Sequence, residues 1–211
     1  MKKDLFLIGG GGHCRSCIDV IEMERKFSII GIVDLPSKLN TKVLGYPVLA
    51  TDEDLVELIQ QECGFFISMG HIESPKARVK VFSFLRDRGA FLPKIISPKA
   101  HVSSHASIGD GTIVMHGATV NAGAIIGSNC ILNTNSLVEH DAIIADHCHI
   151  STGAVINGEC RVGSGAFVGS SSVLVNGVSI FGGALVGAGS VVYRDISEGG
   201  VYVGNPCRRI R

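Results

Sequence analysis

An excess of charge of either sign is what this chain most plainly lacks. Its 211 residues carry 19 Lys plus Arg against 19 Asp plus Glu, a formal net charge of zero. Without a basic excess there is no electrostatic case for nucleic acid or an anionic membrane as partner, and no RNP, zinc-finger or arginine-rich segment supplies another. Long apolar runs are also missing. None reaches the roughly 18 residues that a membrane span needs. The start, MKK, passes directly into DLFLIGG, an apolar stretch too short for a signal peptide, so a cytoplasmic location is expected. Seven cysteines are an odd number, and no CxxC pair is matched by a second. That argues against a disulfide framework or a zinc site. Cys14 and Cys17, three apart in HCRSC, suit one face of a helix better than a ligand set.

What is present in abundance is a period of six. Seventeen consecutive hexads run from Ile96 to Ser197 without an insertion or deletion, and each opens on Ile, Leu or Val. The fourth slot holds Gly at 111, 117, 123, 153, 165, 177, 183 and 189, and Asn, Asp, Ser or His at many of the others. These residues accept turns of positive φ or bond their own backbone. Small residues dominate the fifth slot, where Cys130, Cys148 and Cys160 stand among alanines and serines. Such a period is neither helical nor simply alternating, and over half a chain it predicts a coiled parallel sheet. Three hexads make one triangular turn of 18 residues, so nearly six coils are expected, stacked at the usual strand spacing of about 4.8 Å. Stacking is how thin coils gain a core, and their outer faces are natural subunit contacts, with Ile125, Ile131 and Phe167 as candidates. Because no loop interrupts the count, any catalytic residue must lie on the coils.

Ahead of the hexads the period changes. Residues 4–9 read as a strand ending in four glycines, His13 to about Glu24 as a helix, and Ile29–Val33 as a second strand ending in Asp34. Residues 53–61 and 76–88 look helical around a third strand at Gly64–Met69, and Pro93 and Pro98 mark the changeover. Strand and helix alternating in this way predict a parallel α/β unit, half of a dinucleotide-binding fold. The domains are therefore placed at 1–94, a Rossmann-like nucleotide-binding unit, and 95–211, the β-helix.

The stretches that carry a family resemblance are the hexads, LNTNSLVEHDAIIADHCHISTGAVINGE, and the ending GVYVGNPCRRI. Together with the glycine-rich N-terminal unit they resemble the left-handed parallel β-helix sugar acetyltransferases of surface-glycan biosynthesis. That group includes the N-acetyltransferases of nucleotide-linked 4-amino-dideoxy sugars, such as the bacillosamine-pathway enzyme, and the sialic-acid O-acetyltransferases. The resemblance implies a homotrimer with active sites between neighbouring β-helices and acetyl-CoA as donor, without a metal. It implies His140 as general base, Asp141 as the acid that orients it, and His149, nine positions on, at the reacting groups. Gly158 would offer its N–H to the thioester carbonyl, and Asn133 heads the same motif. Coenzyme A would run along the coils towards Gly204, Asn205, Pro206 and Arg208.

The residues make part of this case unaided. Six of the eight histidines lie between 101 and 149, in a solenoid that has little use for imidazole in its core. Eighteen residues separate His140 from Gly158, which places a base and a bare backbone N–H on adjacent rungs. A neutral imidazole, a carboxylate to fix its tautomer and a preorganised N–H are what acyl transfer from a thioester requires. Glu139 and Asp141 both flank His140; the family pattern selects Asp141. His105, His116 and His147 are expected at solvated corners, and the six histidines fall at different phases of the coil, which disfavours zinc. Gly9, Gly10, Gly11, Gly12 and His13 resemble a phosphate-cradling loop, although Cys14 occupies the third glycine of the dinucleotide fingerprint. Asp34 could accept from a ribose hydroxyl, and His71, after the third strand, is a further candidate substrate contact. Two rival readings stay open: O-acetylation of a sugar such as sialic acid, and a catalytically silent scaffold or sugar-nucleotide sensor.

Overall fold

A computed structural model describes residues 2–211. Its first part is a five-stranded sheet of β1 (Lys3–Ile8), β2 (Phe27–Val33), β3 (Lys42–Val43), β4 (Tyr46–Ala50) and β5 (Gly64–Ile67), in the order β3-β4-β2-β1-β5. β1, β2, β4 and β5 run parallel, and β3 closes a short antiparallel hairpin with β4. Helix α1 (Gly12–Glu24) follows the glycine run directly, presenting Cys14, Cys17, Ile18 and Ile21 to the core. The two cysteines thus share one buried face, as their spacing implies. Arg25 ends α1 in a left-handed conformation, its N–H bonded to the Ile21 carbonyl. The expected helix at 53–61 is shorter, a 3₁₀ turn Asp52–Asp54 with a Thr51/Asp54 capping box and then α2 (Leu55–Leu58). Helix α3 spans Lys76–Arg86. The hairpin of β3 and β4 was not anticipated, since Pro36 and Pro47 bracket a segment without clean alternation.

From Ile95 to Val192 two-residue strands recur every six positions and pair in parallel within three sheets, the faces of a triangular β-helix; the C-terminal Val201–Val203 extends one of them in parallel and Arg208–Arg209 adds to it antiparallel. The register is the 18-residue coil: Thr119 pairs with Leu137, Ile143 with Arg161, and His149 with Phe167. First-slot aliphatics such as Val120, Val138 and Ile156 are fully buried, and Cys130, Cys148 and Cys160 fill the same interior beside Ala124, Ala142 and Ala154. No cysteine is disulfide-bonded. The left-handed corners are taken by glycine or, with a side chain, by Asn129, Asn135, Asp141, His147, Glu159 and Ser171.

One face of the β-helix is covered by the chain's own α/β part. Ile95, Ile113, Met115 and Ile131 join Leu5, Leu7, Cys17 and Ile21 in a single buried cluster. Ile131 is therefore core within one chain, and Phe167 is also buried, whereas Ile125 is 50% exposed and alone of the three remains a subunit-contact candidate. Sequence period tells inward from outward but cannot tell which outward face a neighbouring unit covers.

Candidate active site

His140 and Asp141 stand at one corner of the β-helix, His140 exposed and Asp141 in the left-handed turn conformation (φ 59°). Nδ1 of His140 lies 2.9 Å from Asp141 Oδ2, so that ring nitrogen donates to the carboxylate. Glu139 is turned elsewhere. Its Oε2 accepts from Asn121 Nδ2 at 2.7 Å, one coil earlier, and lies 3.4 Å from the His140 backbone N–H. The carboxylate on the ring is thus Asp141. The bond to Asp141 raises the His140 pKa above 6.5, and the charges of Asp141, Glu139 and Glu159 add to it. With Nδ1 occupied, the unprotonated nitrogen of the neutral ring is Nε2.

That nitrogen faces Gly158. A Cβ built on Gly158 would stand 2.7 Å from His140 Nε2, so the ring occupies the space that the glycine's missing side chain leaves. The coil ladder holds the two rungs in register through the Glu159 N–H, which donates to the His140 carbonyl at 3.1 Å. Among the described residues nothing accepts the Gly158 N–H. A base nitrogen and an unclaimed donor therefore sit side by side, as acyl transfer requires.

His149 occupies a different place. It is buried on the face beneath the α/β part, where its Nδ1–H donates to the His71 carbonyl at 2.7 Å and its Nε2 accepts from Asn133 Nδ2 at 3.2 Å. Its ring centroid lies 5.4 Å from that of His71, 6.5 Å from that of His13 and 5.1 Å from that of Phe167. Within one chain it joins the glycine-loop residues, not His140. Burial first, then the Arg78 charge and neighbouring imidazoles, lower the pKa values of His13 and His71 to about 3; burial and Arg78 lower that of His149 to about 4, against the raising effect of its bond to the His71 carbonyl. Each is neutral at pH 7, and His13 Nε2 and both ring nitrogens of His71 have no partner among the described residues.

Gly9 bridges β1 and β2, its N–H donating to the Val33 carbonyl at 2.8 Å and its φ of 97° closed to side chains. Gly10 donates to Asp34 Oδ2 at 2.9 Å, while Asp34 Oδ1 takes the Leu35 N–H at 2.8 Å. Gly11 caps α1 and Gly12 opens it, so the first helix turn points its free N–H groups towards this loop. Beside it lies a cavity of 390 Å³ lined by Gly9, Asp34, Leu35, Asp52, Met69 and Lys80. At the far end of the β-helix, Gly204 donates to Ser190 Oγ, the Asn205–Pro206 bond is cis, and Arg208 is exposed. Pro206 and Arg208 line a cavity of 400 Å³ with Tyr193, Arg194 and Asp195, some distance along the axis from His140.

Two expectations need correction. His116 is not a free corner: Nδ1 meets Ser97 Oγ at 2.6 Å and Nε2 meets Asp19 Oδ2 at 2.7 Å, tying the first coil to α1. His147 is half-buried against Phe82 and bonded to Asn129. Both lie where the α/β part docks. Sequence reasoning also missed Arg78, 1% exposed, which donates to the carbonyls of Ile67, Met69 and Asn129 and to Asn129 Oδ1. Nothing in its local pattern signals this. Asn121, by contrast, could have been found by counting 18 back from Glu139.

Among the described residues no group of three or more His, Cys, Asp or Glu is arranged to hold a metal ion, and no helix is long and apolar enough to cross a membrane.

Comparison with known proteins agrees with this architecture. The family model of the PglD N-terminal domain matches residues 4–85, and that of the bacterial transferase hexapeptide (six repeats) matches residues 123–158. A mutant of perosamine N-acetyltransferase from Caulobacter crescentus, in complex with CoA and GDP-perosamine, is 32% identical, with a TM-score of 0.92 over 99% of this chain and 97% of that one. The acetyltransferase domain of PglB from Neisseria gonorrhoeae, in complex with acetyl coenzyme A, is 28% identical, with a TM-score of 0.93 over 100% of both chains. WeeI from Acinetobacter baumannii, 23% identical with a TM-score of 0.85 over 99% of this chain and 100% of that one, shares the fold. Among curated proteins none matched. The chain belongs to the hexapeptide-repeat, CoA-dependent sugar acetyltransferases, and it is an enzyme that uses acetyl-CoA as donor.

Proposed function

We propose that this enzyme transfers the acetyl group of acetyl-CoA to the 4-amino group of a nucleotide-linked amino-deoxy sugar, with His140 as general base. The observation that carries the reading is the His140 ring, anchored through Nδ1 to Asp141 and set with Nε2 against Gly158, whose N–H no group among the described residues accepts. The neutral amine attacks the thioester carbonyl, forming the new C–N bond, and its proton passes to Nε2. Asp141 steadies the imidazolium that results. The oxyanion takes the Gly158 N–H, and collapse of the intermediate breaks the C–S bond and releases the thiolate of coenzyme A, a good leaving group that then takes up a proton. No covalent intermediate on the enzyme is needed.

The relatives support the acceptor class, since one was solved with GDP-perosamine and this chain carries the same type of N-terminal unit. In this reading residues 1–94 hold the nucleotide and 95–211 carry the chemistry. The Gly9–His13 loop and Asp34 cradle the phosphates and ribose, with His71, His149 and Asn133 lining the way to the sugar. Gly204, Asn205, Pro206 and Arg208 belong to the coenzyme A end. Because His149 faces the α/β part and His140 lies exposed at another corner, the complete site forms between neighbouring β-helices of a homotrimer. The bacillosamine and sialic-acid branches of the family differ in acceptor, and the amine is favoured because the perosamine relative is an N-acetyltransferase.

The test is thiol release from acetyl-CoA against UDP-, GDP-, dTDP- and CMP-linked amino sugars and their hydroxyl counterparts. One amino sugar should be turned over, and His140→Ala should lower kcat by about 10²-fold or more. Turnover of hydroxyl sugars alone, or a His140→Ala enzyme working at near wild-type rate, would overturn the proposal.

A further inference from the structure

The dyad touches glycine on both sides. Gly158 meets the ring from the coil after it, and Gly123, eighteen residues before Asp141, meets the carboxylate from the coil before it. A Cβ on Gly123 would stand 2.3 Å from Asp141 Oδ1 and 3.2 Å from its Cγ. Gly123 adopts φ 77°, which by itself would explain a glycine. The same corner conformation is nevertheless held with a side chain by Asn129, Asn135, Glu159 and Ser171, so the turn does not demand glycine at each coil. Asn135 lies back over Gly117 in the same way; at position 123 the group lying over the glycine is the carboxylate that holds His140.

We propose that Gly123 is a positioning residue: the space left by its missing side chain is what lets the Asp141 carboxylate lie back over the preceding coil and reach His140 Nδ1. The inference rests on His140 being the base of the proposed acetyl transfer, and it adds a residue that acts only through Asp141. The obstructing contact falls on the far end of a short side chain, so a side chain at 123 would be accommodated by rotating the carboxylate, leaving the coil intact and the imidazole without its partner. The charged groups facing His140 would then be Glu139, held by Asn121, and Glu159 on the next coil.

The closing experiment is an NMR titration of the His140 ring in the full-length protein. Gly123→Ala should lower its pKa by about one unit, as loss of a bonded carboxylate does. Gly123→Asn, which tolerates the left-handed corner but keeps the obstruction, should do the same, so a folding defect in the alanine variant would not stand in the way. Gly183→Ala, at φ 72° with nothing within 4 Å of the added Cβ, carries the same strain and should leave the titration unchanged. In an Asp141→Asn background Gly123→Asn should produce no further shift. A His140 titration unmoved by both Gly123 variants, or a shift that adds to that of Asp141→Asn, overturns the inference. The titration needs no acetyl transfer. A protein inactive towards every nucleotide sugar would refute the proposed function and leave this result to be judged separately.

Discussion

Replacing Gly158 by Ala separates what its N–H does from what its lack of a side chain does. Its φ lies outside the left-handed region, so alanine is accepted by the backbone and the N–H stays where it is. The new Cβ, however, would approach His140 Nε2 and Cε1 to 2.7 and 2.8 Å, about 0.7 Å inside the ordinary 3.4 Å contact. The exposed ring yields more easily than the rung, so Nε2 swings out by a comparable distance, either stretching the 2.9 Å bond to Asp141 or turning away from the acceptor amine. A misplacement near 1 Å costs on the order of 10²-fold in rate. We therefore expect kcat for acetyl transfer to fall by about 10²-fold, with thermal unfolding little changed because no buried contact is removed. Initial-rate thiol release beside a melting curve checks both. A Gly158→Ala enzyme with kcat within two-fold of wild type would show that the ring need not lie against this rung, and the base assignment would lose its geometric support.

Two further outcomes concern the junction between the two parts. Arg78→Met should destabilise the protein by about 3 kcal/mol or more in chemical denaturation, since it strips donors from the carbonyls of Ile67, Met69 and Asn129 and from the Asn129 side-chain oxygen, although the guanidinium has no carboxylate to leave behind. The buried histidines predict acid sensitivity. Their folded pKa values lie below the unfolded 6.5, so the unfolded chain binds more protons between pH 6.5 and about 3, and stability falls as pH drops through that window. At pH 5 each of His13 and His71 should have cost about 2 kcal/mol relative to pH 7. Denaturation at the two pH values measures it, and His71→Asn should reduce the difference.

The uninterrupted period of six settled much of this molecule in advance. A strand ladder has no freedom to shift register when every sixth residue must be a buried aliphatic, so counting in eighteens placed Gly158 over His140 before any coordinates did. It also assigned the solenoid cysteines to the interior and left no loop to carry chemistry. The strand, glycine turn and helix of the first 24 residues were legible for a similar reason, because local pattern and turn chemistry agree there. Three matters lay beyond a count. Which carboxylate holds His140 depended on Asn121 drawing Glu139 away, a side-chain competition between coils that spacing cannot rank. His116, His147 and Ile131 were misjudged because their surroundings come from α1, α3 and the sheet, brought against one face of the triangle from far along the chain. The company of His149, with His13 and His71 beside the glycine loop, likewise joins residues from three distant segments. Periodicity reports how a residue sits within its own element. Only the docking of one element on another decides what it touches.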